Sequence, residues 1–181
     1  MDDCIQAYQR HMNLKLAANE LGMQWQTLYS RLKKAGVRVV GDKLRYGSDR
    51  DRLAAMAESK FLELVPLAKN MNALEFQSKY DFMAGDFKVD VKAAKPTIGN
   101  AKLQAKRWAF SVKKQALICD FIVCFCFSEN RELVHTLLIP SEFFQGLQTV
   151  SISCEGQSKW LDYVVPSESL HGFFEDMNQL P

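Results

Sequence analysis

Residues 118–127 read Ile-Cys-Asp-Phe-Ile-Val-Cys-Phe-Cys-Phe, and Asp120 carries the only charge in that run. A strand with one face in water alternates apolar and polar residues. This run does not alternate, so it predicts a central strand covered on both faces. Such a strand requires a layered domain, with other elements packed above and below one sheet. The run is far shorter than the ~18 residues that mark a membrane span. Asp120 reads as the residue where the chain enters the strand. A partner strand is expected over 132–139, after the turn Ser128, Glu129, Asn130. Further strands are expected near 149–154 and 159–165, with a closing helix over 166–177.

Upstream of residue 73 the apolar period is helical. Asp2 or Asp3 can cap a first helix running to about Met12. Asn13 can cap a second, in which Leu14, Ala17, Ala18 and Leu21 share a face until Gly22 stops it. A third places Trp25, Leu28, Tyr29 and Leu32 on one apolar stripe and ends at Gly36. Residues 37–48 read as a short strand or wing and a linker, and a long helix follows from Asp49 to Leu64 before Pro66. After Ala73 the texture turns to period two, with strands expected near 74–84 and 87–94 and a basic loop over 95–107. The organisation read from the pattern is an all-α module over 1–48 followed by an α+β domain over 49–181.

Composition narrows the class. Of 181 residues, 48% are hydrophobic and 24% charged, which is globular and excludes disorder as the main account. The acidic start Met1, Asp2, Asp3 has no apolar stretch behind it, which predicts no secretory leader and no membrane partner. Five cysteines without C-x-x-C spacing predict a reduced cytosolic chain with neither a disulfide framework nor a zinc site. There are no glycines around Ser151, Ser153 or Ser158 to form a nucleophile elbow, and no glycine-rich phosphate loop. His11, His135 and His171 are too scattered to make a ligand set.

Charge is unevenly placed. Residues 1–60 hold 11 Lys and Arg against 7 Asp and Glu, residues 61–114 hold 10 against 5, and residues 115–181 hold 2 against 9. The positive front two thirds suggest a polyanion partner. Within them, two short helices around Gly22 fit a helix-turn-helix. Its third-helix face offers Gln24, Gln26, Thr27, Ser30, Arg31 and Lys34, types that hydrogen-bond base edges in the major groove. Lys33, Lys34 and Arg38 are placed for phosphates. Ala17 and Ala18, then Leu21 and Gly22, then Thr27, Leu28 and Tyr29 occur at a spacing that resembles the DNA-binding helix-turn-helix of bacterial regulators. The bland alternative is a helical hairpin with a solvated face.

The segment from Lys79 to Lys92 carries the chemistry. Gly85 and Asp86 are a two-residue hairpin signal. With them as the loop, Ala84 faces Phe87 and Asp81 faces Asp90. One face then carries Tyr80, Phe82, Val89 and Val91, a core face. The other carries Lys79, Asp81, Met83, Lys88, Asp90 and Lys92. Two carboxylates ~5 Å apart across a strand pair repel unless a cation lies between them. Glu58, on the apolar stripe of the preceding helix with Ala54, Ala55, Phe61 and Leu62, is a candidate third ligand. The alternative is a mixed-charge solvent face, with Glu58 reaching to water.

The order of Glu58 on a helix, then Tyr80, Asp81, Phe82, then Val89, Asp90, Val91, Lys92, then the apolar strand from Asp120 resembles the PD-(D/E)xK nuclease superfamily. Within it, the stretch is most similar to small homing and restriction-type endonucleases. The resemblance spans about residues 50–140. It departs from the family pattern in having Tyr80 where many members carry Pro, and Asp90 where Glu is commoner. It implies a restriction-endonuclease-like α+β core with a mixed sheet and Mg²⁺ (or Mn²⁺) held by Asp81, Asp90 and Glu58. It also implies that Lys92 assists the attacking water, that the substrate is DNA, and that the chain is of bacterial, phage or mobile-element origin. Lys95, Lys102, Lys106 and Arg107, followed by Lys113 and Lys114, are then placed to track the phosphate backbone. Other readings are a regulator that binds DNA without cutting it and a nuclease selective for junctions or flaps. Cutting both strands of a twofold site would call for a homodimer.

Overall fold

The computed structural model describes residues 2–37, 39, 47–74, 78–99, 105–112 and 118–180. The chain divides into two compact units, Met1–Arg52 and Leu53–Pro181, and each is described by itself. The fold class is α+β: an N-terminal helical unit, then a unit with a mixed sheet. No helix among the described residues is long and apolar enough to cross a membrane.

The first unit contains α1 (Asp2–His11), α2 (Leu14–Glu20) and α3 (Trp25–Lys34). Asn13 caps α2 as its sequence position predicts, its side chain accepting from Leu16 N at 2.9 Å. Both α2 and α3 end on glycines in the left-handed region, Gly22 at φ 60° and Gly36 at φ 70°. Met23 N donates to Ala18 O and Gly22 N to Asn19 O. Val37 N donates to Leu32 O and Gly36 N to Lys33 O. These pairs are Schellman closures, which satisfy the last carbonyls of each helix. Cys4, Ala7, Tyr8, Ala17, Ala18, Leu28 and Leu32 form the core. Trp25 departs from the expected burial: at the first residue of α3 it is 43% exposed, whereas Leu28 and Leu32 of the same stripe are fully buried.

In the second unit, α4 (Asp49–Leu64) begins before the unit boundary and carries Leu53, Ala57 and Phe61 into the core. Then come β1 (Ala68–Asn70), the single turn α5 (Met71–Leu74), β2 (Phe82–Ala84), β3 (Phe87–Ala94), β4 (Thr97–Ile98) and β5 (Lys106–Ser111). These are followed by β6 (Phe121–Phe127), β7 (Leu133–Pro140), a 3₁₀ turn over Ser141–Phe144, and β8 (Thr149–Ser153). Another 3₁₀ turn over Lys159–Tyr163, β9 (Val164–Val165) and α6 (Ser169–Gln179) complete it. Strands order as β1-β2-β3-β6-β7-β9 in one sheet and β4-β5-β8 in a second. The β3–β6 pair is parallel and every other pair is antiparallel.

β6 is buried on both faces, as its unbroken apolar run predicts. Val123, Phe125 and Phe127 join Phe61, Phe82, Val89, Val91, Leu170 and Phe174 in one core. Ile122, Cys124 and Cys126 join Trp108, Phe110, Phe144, Val150, Ile152 and Trp160 in another. The large sheet is thus sandwiched, with α4 and α6 contributing to the first core and the small sheet to the second. All five cysteines are free thiols, four of them buried.

Three segments differ from the sequence pattern. Of the expected strand over 74–84, residues 75–77 lie outside the described residues, 78–81 are not strand, and β2 starts at Phe82. Ahead of it, Asn70 Oδ1 accepts from Ala73 N at 2.9 Å at the start of the helical turn 71–74, which takes only Leu74 out of the expected strand. The expected basic loop 95–107 contains β4 and runs into β5, where Trp108 and Phe110 are buried between exposed neighbours. The expected strand over 159–165 is a 3₁₀ turn ending in two strand residues, started by Ser158 Oγ accepting from Trp160 N at 3.4 Å.

Candidate active site

The hairpin register is the one the turn chemistry predicts: Phe82 faces Val89, Met83 faces Lys88 and Ala84 faces Phe87. Gly85 takes φ 65° and Asp86 does not take a positive φ, the pattern of a two-residue turn with glycine first. The regular ladder ends at Phe82: Asp81, outside β2, donates its N to Val89 O at 3.2 Å, one residue off the register that would set it opposite Asp90. Strand period then puts Asp90 and Lys92 on one face of β3, beside Ile122 and Cys124 of β6. Phe82, Val89 and Val91 enter the core as expected, whereas Tyr80 stays outside it with the Lys88 ammonium 5.9 Å from its ring centre.

Asp81, Asp90 and Lys92 are brought together. Lys92 Nζ lies 2.6 Å from Asp90 Oδ2. Oδ2 is therefore a buried carboxylate oxygen held against one ammonium. Asp90 is only 3% exposed. Burial, and then the neighbouring Asp81 charge, push its carboxyl up to about 7, against the opposing pull of Lys92. This is the cost of an acid pair in low dielectric. Asp81 is positioned from two sides: Oδ2 accepts from Val91 N at 2.9 Å and Oδ1 from Asn72 Nδ2 at 3.0 Å. Asn72 sits on α5, nine residues upstream, and nothing in the sequence pattern singles it out. Cys119, part of the apolar run and a free, buried thiol, lies near the acids. Burial, then the charges of Asp90 and Asp81, push its thiol up to about 12, which makes it an inert neighbour of the acids.

Asp120 stands at the entry to β6 as expected. Its Oδ2 accepts from Lys88 N at 2.7 Å and its N donates to Lys88 O at 2.8 Å. These bonds tie the start of β3 to β6 and leave Asp120 a structural part. Glu58 is half-buried on α4. It is not assembled with the acid pair: among the described residues no group of three or more His, Cys, Asp or Glu stands at metal-holding separation.

A hard divalent cation fits the pair that is formed. Both donors are carboxylates, each Asp81 oxygen keeps lone-pair capacity beyond the bond from Asn72 or Val91, and the buried Asp90 Oδ2 lies against the Lys92 ammonium, which a cation would have to share or displace. Two protein carboxylates suit Mg²⁺ or Mn²⁺, which retain several waters, better than Ca²⁺, which takes six to eight oxygens.

The remaining sequence-predicted residues fall as follows. Gln24, Gln26, Thr27, Ser30, Arg31, Lys33 and Lys34 are all exposed in the first unit. Gln24 precedes α3 without spending its side chain on a cap. Arg31 Nη1 reaches Cys4 Sγ at 3.8 Å. Arg107 is exposed on β5, Lys95 is half-buried, and Lys106 is ion-paired with Glu129, so that ammonium is already neutralised. Arg38, Lys102, Lys113 and Lys114 lie outside the described residues. The chain matches no protein-family model and no curated protein.

Proposed function

We propose that the chain is a divalent-metal-dependent DNA endonuclease of PD-(D/E)xK type, with its site selected by the N-terminal helices. The observation that carries this reading is the convergence of Asp81, Asp90 and Lys92 at one hairpin, with Asp90 buried and its carboxyl pushed up by that burial and by the Asp81 charge. Asp81 and Asp90 are the ligands, and Glu58 on α4 is the third carboxylate to test. A cation held there supplies Lewis acidity to a phosphoryl oxygen and lowers the pKa of a bound water.

The chain's own residues supply the rest. Asn72 and Val91 N hold Asp81 in one orientation. Lys92, partly exposed, presents a positive charge to the phosphoryl oxygens as their charge grows. In the hydrolysis, water oxygen bonds to phosphorus, the phosphorus–oxygen bond to one sugar breaks, and the leaving sugar oxygen takes up a proton. The exposed Gln, Ser, Thr and Arg side chains of α3 read base edges, and Lys33 and Lys34 neutralise phosphates.

The Asp90–Lys92 ion pair favours a second reading, in which the polar cluster only holds the sheet together and the chain regulates by binding DNA. Supercoiled plasmid incubated with Mg²⁺, with Mn²⁺ and with EDTA separates the two. The nuclease reading expects cation-dependent conversion to open-circular or linear DNA, lost in Asp90→Ala and in Lys92→Ala, while all samples still retard a duplex. Retained binding with no cleavage in any cation establishes the regulator instead.

A further inference from the structure

The ring of Trp25 is unaccounted for by the core. It is 43% exposed, while Trp108 and Trp160 are 5% and 7% exposed. At 100° per residue Trp25 lies about 20° from Leu32 and about 60° from Leu28, at the edge of the buried stripe, and Tyr29, Lys33 and Gln26 follow it toward the polar face; as the first residue of α3 it nonetheless stays largely exposed. α3 contains no acidic residue and carries Arg31, Lys33 and Lys34, of which Lys33 is nearest the ring, so the helix as a whole complements a polyanion. Gln24, Gln26 and Ser30 supply the polar contacts expected of a base-reading surface. Only one base offers an apolar group in the major groove, thymine, through its C5-methyl.

We infer that Trp25 is a specificity-determining contact that packs against a thymine methyl in the major groove. The inference rests on the DNA-binding part of the function proposed above and deepens it by naming one feature of the target. The ring sits at the first turn of α3, the end that a recognition helix directs at base edges. Its exposure leaves Leu28 and Leu32 to hold the helix in place, so removing it does not empty the core.

The test uses the full chain in EDTA, so that binding is measured without cleavage. Duplexes selected by the chain from a randomised pool are compared, position by position, with versions carrying uracil for thymine, a change that removes only the methyl. One thymine position should weaken binding about fourfold on this change, the worth of one buried methyl. Trp25→Ala should bind the thymine duplex at least about fivefold more weakly, the low end for one wrong base pair. It should also bind the uracil and thymine versions equally. Tryptophan emission of the wild type should fall on adding the duplex, and that of Trp25→Phe should not. Duplex binding with unchanged emission, or Trp25→Ala keeping the thymine preference, overturns this inference and leaves DNA binding intact. Failure of the wild type to retard any duplex overturns both, and plasmid cleavage tells whether the nuclease site survives that result.

Discussion

Replacing Asp90 with Asn should remove the main pH dependence of the second unit's stability. Asp90 is 3% exposed and, without a cation, titrates at about 7 instead of the ordinary 3.8. The folded chain therefore holds this proton more tightly than the unfolded chain. Between pH 4 and 7 the unfolded carboxyl ionises while the folded one stays neutral, so stability falls as pH rises through that window and levels off above it. Each unit of separation is worth ~1.4 kcal/mol, so moving from pH 5 to pH 8 should cost the wild type about 3 kcal/mol. Asp90→Asn should be flat over the same range and more stable than the wild type at pH 8. Urea unfolding followed by tryptophan emission measures this, because buried Trp108 and Trp160 both lie in the Leu53–Pro181 unit. Mg²⁺ should restore part of the loss at pH 8 and little at pH 5, since a cation competes with the proton for the same oxygens. A wild-type profile that is flat from pH 5 to 8, or one shared by Asp90→Asn, refutes the argument from burial and acid pairing.

Three other outcomes follow from the packing and the helices. Phe82→Ala removes a fully buried ring 4.9 Å from Phe61 and should cost ~3–5 kcal/mol in urea unfolding, with the helical signal of the first unit surviving. Gly85→Ala should be destabilising twice over, through φ 65° at ~1–2 kcal/mol and through a clash of the new methyl with Asn178, 2.0 Å away. The double variant with Asn178→Ala should therefore lose less than the two single losses combined, and simple additivity would show that the clash is absent. Arg31→Ala should weaken duplex binding by ~1–3 kcal/mol at one site position and leave Mg²⁺ stabilisation unchanged; loss of both would deny a division of labour between the units.

The sequence determined those features whose signal is local. The run from Phe121 to Phe127 requires burial on both faces whatever surrounds it, and two cores cover it. Gly85 and Asp86 set the hairpin register, and a period of two then puts Asp90 and Lys92 on one face. Asn13, Gly22 and Gly36 bound the helices through hydrogen bonds that span only a few residues. The charged residues of 95–107 masked the alternation that makes β5, and a helical turn begun at Asn70 takes in Leu74, the first residue of the expected strand.

Tertiary structure decided what depends on distant partners. Asp90 looks from its neighbours like a surface acid, yet its position beside β6 and the second core buries it, and that burial raises its affinity for a proton. Asn72 holds Asp81 only because a one-turn helix returns it to the hairpin. Lys106 is taken by Glu129, 23 residues away, and Trp25 is left largely exposed outside the helical core. Strand periodicity fixes a side chain's face over a few residues, whereas its desolvation and its charge partners are set by whatever the rest of the chain folds against that face.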